Sequence, residues 1–87
     1  MTKQPPRRQR HETPLAKWLR AANEVQRAEL AELAETEVNY LYNLAAGRRE
    51  PRLGLALRIE RGTQLMARKY PTLSPVTVGD LLTGSAT

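Results

Sequence analysis

The sequence predicts an all-α fold: one compact bundle of four to five short helices behind a disordered basic N-terminal arm. Three observations carry this. Apolar residues recur at helical spacing through most of the chain, no stretch alternates at the two-residue period of a half-buried strand, and capping residues punctuate the periodic segments. The 87 residues allow a single domain. A chain of this size buries only about 60–65% of the surface its unfolded form exposes, so its core must be economical or completed by a partner. The division read from composition is an arm over 1–12, a folded domain over 13–83 and a tail over 84–87.

The arm holds two prolines, four cations and no apolar residue after Met1, so it has nothing to bury. Helix one is predicted to start at Thr13, with Thr13 as N-cap and Pro14 at the first helical position. Leu15, Trp18, Leu19 and Ala22 then share one face, Trp18 as a core anchor, and Asn23 stops the helix. Helix two is expected over Gln26 to Ala34, burying Leu30, Ala31, Leu33 and Ala34. A polar break of Glu35, Thr36 and Glu37 follows. Helix three is expected over Val38 to Ala46, with Val38, Leu41 and Leu44 inward and Gly47 at the left-handed position past its end. Helix four is expected from Pro51 to Lys69 on a stripe of Leu55, Ala56, Ile59, Thr63 and Met66. Its Gly54 and Gly62 each weaken it by about 1 kcal/mol relative to alanine, and Gly62 serves close helix contact or marks a bend. Tyr70-Pro71 ends it. A short last helix follows Thr77, with Asp80 in its first turn and Leu81 and Leu82 packing back.

Composition excludes several function classes. There is no cysteine, which removes disulfides, thiolate nucleophiles and thiolate metal sites. The only histidine, His11, lies in the polar arm, and no carboxylates are paired in an apolar setting, so the chain reads as non-enzymatic, without metal or cofactor. No run is long and apolar enough for a membrane helix, and no apolar stretch follows the basic N-terminus to make a secretory signal. The expectation is a cytoplasmic, bacterial nucleoid-associated protein.

The net charge of +5 is carried by eleven Arg against three Lys, and it is zoned. Residues 1–12 hold Lys3, Arg7, Arg8 and Arg10 against Glu12. Residues 24–37 hold five glutamates against Arg27. Residues 48–69 hold six arginines and Lys69 against Glu50 and Glu60. Such zoning suggests a side that faces a polyanion, and a solvated basic surface is the plain alternative.

The informative stretch runs from Arg27 to Gly47. A tight corner between two helices needs a small residue where they touch, supplied by Ala31, and a short turn, supplied by residues 35–37. The second helix must lock onto its neighbours through Leu41 and Leu44, which frees Asn39, Tyr40, Tyr42 and Asn43 on its other side. Asn39 and Asn43 lie one turn apart and share a face. Tyr40 and Tyr42 lie two residues apart, so they cannot both point the same way and one belongs to the core. A helix fits the major groove, where Asn pairs bidentately with adenine.

On these residues the chain resembles the Cro/repressor-type (XRE-like) helix-turn-helix family of phage and plasmid regulators. Leu30-Ala31 matches the family's Leu-Ala pair, and Leu44-Ala45-Ala46-Gly47 its ending, at the family spacing. The run Gly47-Arg48-Arg49-Glu50-Pro51, the segment Leu55 to Thr63 and the stretch Val76 to Leu82 are similar to the small YdaS-like members. The resemblance covers residues 14–83. It implies that Arg27, in place of the usual Gln, contacts phosphate, and that Val38, Asn39 and Asn43 read bases with Tyr40 and Tyr42 beside them. It further implies that Arg48, Arg49 and Arg52 meet the backbone, while Lys3, Arg7, Arg8 and Arg10 form an arm that wraps the duplex or enters the minor groove. Two positions depart from the pattern. Glu35 replaces the turn glycine, a strained choice if the position is left-handed. Glu37 replaces the Ser or Thr that begins the recognition helix, either as a charge suited to the helix dipole or as an acceptor for a cytosine amino group.

The function expected is a sequence-specific DNA-binding transcriptional regulator, a repressor reading the major groove with helix 38–46 as a homodimer on a palindromic operator. The alternative is an antitoxin-like or adaptor module that binds a protein through the acidic face of helix two, Glu29 with Glu32, or through the apolar stretch from Leu73 to Leu82. The end of helix four and residues 70–83 are the expected dimer surface.

Overall fold

A computed structural model of the chain describes residues 12–83. Lys3, Arg7, Arg8, Arg10 and the tail lie outside the described residues. Five α-helices follow in order: α1 (Pro14–Ala21), α2 (Glu24–Leu33), α3 (Val38–Ala45), α4 (Leu53–Lys69) and α5 (Val78–Thr83). There is no strand among the described residues. α1 packs on α3 and α5, α2 on α3 and α4, and α5 on α4.

Thr13 starts α1 as expected and does more. Its hydroxyl accepts the Ala16 N–H at 3.1 Å and donates to the Ala45 carbonyl at 3.0 Å, so one side chain caps α1 and ties it to the last turn of α3. α1 buries Leu15, Trp18 and Leu19. Trp18 is a core anchor, and its indole N–H finds no acceptor among the described residues. Glu12, assigned to the arm, is held to the domain by Arg20.

Asn23 does not simply stop helix one. Its carbonyl oxygen Oδ1 accepts the Gln26 N–H at 2.8 Å while Gln26 Oε1 accepts the Asn23 N–H at 2.8 Å. This reciprocal capping box satisfies two otherwise orphaned donors and starts α2 at Glu24, ahead of the expected Gln26. Leu30, Ala31 and Ala34 are buried. Leu33, expected among them, is 39% exposed, because it lies at the edge of the face, beside Gly62 of α4.

The corner between α2 and α3 is a Schellman turn. The Glu35 N–H bonds the Glu32 carbonyl at 3.1 Å and the Thr36 N–H bonds the Ala31 carbonyl at 2.8 Å. This geometry places Glu35 in the left-handed region, at φ 59°. The end of α3 repeats the motif: Gly47 N–H bonds Leu44, Arg48 N–H bonds Asn43, and Gly47 has φ 81°. One chain thus closes the same turn twice, once with the residue that tolerates it and once with glutamate. α3 ends at Ala45, with Ala46 as its C-cap.

α4 begins at Leu53 rather than Pro51, because Pro51 is buried in the approach and Arg52 is the extended N-cap. It runs unbroken through Gly62, so Gly62 marks contact and no bend. A methyl group there would lie 3.0 Å from Leu30 Cδ1 and 3.3 Å from Leu33 Cβ. Beyond α4 the chain returns across the core. Buried Thr63 donates to the Ile59 carbonyl at 2.9 Å and accepts the Val76 N–H at 2.9 Å. Leu73 and Val76 are each 1% exposed, so this returning segment contributes to the domain's own core. Thr77 and Asp80 cap α5 reciprocally. Leu81 packs against the core, whereas Leu82, expected to pack back, is 47% exposed. The exposed apolar residues of α4 are Leu53, Leu57 and Leu65.

Candidate nucleic-acid interface

α3 is short, and its burial pattern orients it without ambiguity. Leu41, Leu44 and Ala45 face the core, with Val38 and Tyr40 packed partly against it. At about 100° per residue, the opposite face is Asn39, Tyr42, Asn43 and Ala46, of which only Asn43 is partly covered. The choice between the tyrosines is resolved: Tyr40 is the one that joins the core edge and Tyr42 the one that points out.

Cations occupy both flanks of this face. On one side lies a cleft of about 240 Å³ whose lining includes Leu19, Arg20, Arg27, Tyr42 and Ala46. On the other, Tyr40 shares a cleft with Glu50, Arg52, Leu55 and Arg58. At the C-terminal end of α3, Arg48 Nη1 donates to Asn43 Oδ1 at 3.2 Å. This bond fixes the orientation of the Asn43 amide, leaving its NH₂ group as the donor directed elsewhere.

The arginines differ in what holds them. Arg27 Nε donates to the Leu19 carbonyl at 2.8 Å, and Arg58 Nε to the Ala34 carbonyl at 2.9 Å. Each satisfies an orphan carbonyl at a helix C-terminus while keeping its charge and its terminal amino groups. Arg27 is therefore a structural residue as well as a candidate phosphate contact. Arg49, expected beside Arg48, is turned away. It lines a narrow cleft with Leu15, Leu44 and Asp80, on the α1 and α5 side of α3. Arg20 and Arg58 were not among the expected contacts. Arg20 meets the cleft only because α1 packs across α3, a tertiary fact with no short-range signal.

The N-terminal end of α3 is acidic. Glu37 is its N-cap residue and makes no capping bond with its side chain. An open groove beside it is lined by Val25, Glu29, Glu32, Glu37 and Val38 among others, with no cation. Glu29, expected with Glu32 on the acidic face of helix two, is engaged: Lys69 Nζ donates to it at 2.7 Å and Tyr70 Oη at 3.1 Å. The Lys69 hydrogen bond holds the Glu29 carboxyl below its ordinary value, against the opposing effect of partial burial. Arg20 likewise lowers Glu12 through two hydrogen bonds, at 2.7 and 2.8 Å.

Among the described residues no group of three or more His, Asp or Glu side chains is placed to hold a metal ion, and no helix is long and apolar enough to cross a membrane. No family model, curated protein or solved structure matches the chain, so the likeness to helix-turn-helix regulators rests on the residues themselves.

Proposed function

We propose that this chain is a sequence-specific DNA-binding regulator, a repressor, that inserts α3 into the major groove and acts as a homodimer on a palindromic operator. The observation that carries this reading is the outward face of α3, with amide-bearing Asn39 and Asn43 and the Tyr42 phenol, bordered by arginines on both flanks and at its C-terminal end. A helix reading bases needs polar tips facing the groove and cations where the two phosphate backbones pass. α3 spans about 12 Å, enough for one half-site only. A single unit of this kind buries about 600–1,000 Å² on DNA. Two copies reading half-sites one helical turn apart, about 34 Å, supply the remaining selectivity. Leu53, Leu57 and Leu65 of α4 add exposed apolar surface that a second copy could use, beside Leu82 in residues 70–83.

Selection of bound sites from random duplex DNA tests the proposal, and a palindromic enriched site is the expected result. On that site Asn43→Ala relaxes sequence preference. Arg48→Ala weakens binding to specific and random DNA and flattens the salt dependence by about 0.9 per lost phosphate contact, with a somewhat larger loss on the specific site because the Asn43 amide is freed. Equal loss on specific and random DNA for Asn43→Ala removes Asn43 from the reading face. A second reading, a protein-binding module, draws on the cation-free groove lined by Val25, Glu32 and Glu37. Failure to enrich any DNA, with salt-insensitive binding to a protein, favours that reading.

A further inference from the structure

Arg20 is one of the arginines that flank α3, but its pairing with Glu12 has no part in the DNA-binding reading. The guanidinium is bidentate on the carboxylate, Nε to Oε2 at 2.8 Å and Nη2 to Oε1 at 2.7 Å. The Arg20 side chain is 69% exposed, so the pair is not a core element. Its location is informative. Arg20 lines the cleft between α1 and α3, opposite Tyr42, together with Arg27. The remaining lining is apolar, from Ala16, Leu19, Ala45 and Ala46, and among the described residues no carboxylate lines it. Arg27 uses Nε on Leu19, and its side chain makes no other hydrogen bond among the described residues. Two arginine side chains and a tyrosine beside small apolar walls suit one nucleotide of a duplex backbone, with its sugar against the alanines and its phosphate within reach of the cations.

Glu12 is the only carboxylate ahead of Glu24 in the sequence and directly follows the segment that holds Lys3, Arg7, Arg8 and Arg10. Its two oxygens present Arg20 with the same planar, two-acceptor geometry that a phosphate presents. We propose that the α1–α3 cleft seats a backbone phosphate on Arg20, and that Glu12 is the internal counter-ion which Arg20 exchanges for that phosphate. The inference rests on the DNA-binding reading and adds a contact and its regulation to it. The exchange moves no proton and breaks no covalent bond: one guanidinium–carboxylate pair opens, one guanidinium–phosphate pair forms, and the carboxylate returns to water. Glu12 thereby weakens binding in two ways, by occupying Arg20 and by standing near the incoming phosphate.

The two effects separate in a double-mutant cycle on the full chain, with a random-sequence duplex of about two helical turns as probe. Glu12→Gln keeps the side-chain size and removes the charge. It should tighten binding about two- to five-fold, the range to which the strength of a surface ion pair corresponds. Arg20→Ala should weaken binding and lower the salt slope by about 0.9. In the Arg20→Ala background the gain from Glu12→Gln should largely vanish. A gain of the same size in both backgrounds overturns the exchange, because Glu12 then acts only through long-range repulsion. No gain from Glu12→Gln, while Arg48→Ala still weakens binding, overturns the inference and leaves the DNA-binding reading intact. Absence of binding by the unmodified chain removes both. Circular dichroism and thermal melts of each variant report whether the fold is kept, and these exposed substitutions should leave it unchanged.

Discussion

Glu35 offers the cleanest test of how the helical corner is held. Two Schellman turns close α2 and α3 with equivalent hydrogen bonds, and their left-handed positions hold Glu35 at φ 59° and Gly47 at φ 81°. A residue with a Cβ pays about 1–2 kcal/mol in that region. Replacing Glu35 by glycine removes that strain but returns about 0.4–1 kcal/mol of conformational freedom to the unfolded chain. The net expectation is a stabilisation of about 0.5–1 kcal/mol, which in a domain of this size raises Tm by roughly 3–6 °C. Gly47→Ala is the mirror experiment. Nothing lies within 4 Å of the added methyl, so its cost is backbone strain alone, and a loss of about 1 kcal/mol is expected. Glu35→Gln separates charge from conformation, because Glu35 stands at the negative end of α2 and close in sequence to Glu32 and Glu37. Urea melts of the three variants decide the matter. If Glu35→Gly is no more stable than the natural chain, or Glu35→Gln gains as much as Glu35→Gly, the strain argument fails.

Other expectations follow from the packing. Gly62→Ala should lose about 1–2 kcal/mol despite the better helix former, because Leu30, fully buried, cannot retreat from a methyl at 3.0 Å. A gain in urea midpoint would show that α2 and α4 can move apart freely. Thr63→Val keeps the shape but removes the acceptor for the buried Val76 N–H, and about 1–3 kcal/mol of stability with it; hydrogen exchange at Val76 should rise in parallel, and unchanged protection there would refute the role. Glu29→Gln should lower stability at neutral pH. The Glu29 carboxyl is held below its ordinary value, chiefly by Lys69, so its contribution is present above the unfolded carboxylate range and is lost as pH falls through the lowered value. The variant and the natural chain should therefore converge in acid, and an equal difference at both pH values would assign the loss to something other than charge.

Much of this fold was legible because its helices obey simple periodicity. Leu15, Trp18 and Leu19 on α1, Leu41 and Leu44 on α3, and Ile59 and Met66 on α4 are all buried as their spacing requires. Boundaries were harder where one residue type serves two purposes. Asn23 could end α1 or begin α2, and only the reciprocal bond with Gln26 decides. Leu33 and Leu82 are apolar and at plausible spacing, yet they lie at the edge of narrow buried faces. At the candidate site, Asn39 and Asn43 could be placed by spacing alone. Arg20, Arg27 and Arg58 could not be sorted, because a long side chain reaches a carbonyl, a carboxylate or solvent according to which helix end folds beneath it. The arginine-rich composition gave the sign of the surface, and tertiary packing assigned the individual roles.

Glu37 brings the remaining conflict between stability and recognition to a point. The N-terminus of α3 carries a partial positive charge that suits a carboxylate, and the same end would attract a phosphate if the carboxylate were absent. Glu37 is exposed and forms no capping bond, so the backbone donors of the first turn lack the partner that Ser or Thr would provide. Glu37→Ser should therefore stabilise the domain by about 0.5–1 kcal/mol and, on the DNA-binding reading, tighten binding to random duplex by removing a repelling charge. On the enriched operator the two roles of Glu37 diverge. If its carboxylate accepts from a cytosine amino group, Glu37→Ser relaxes preference at one base pair while random binding strengthens. If it is a helix-start charge alone, specific and random affinities rise together and the enriched site is unchanged. Weaker binding to both DNAs from a variant that keeps its fold would mean that the acidic end of α3 does not approach the duplex as argued, and the orientation built on Arg48 and the flanking arginines would have to be reversed.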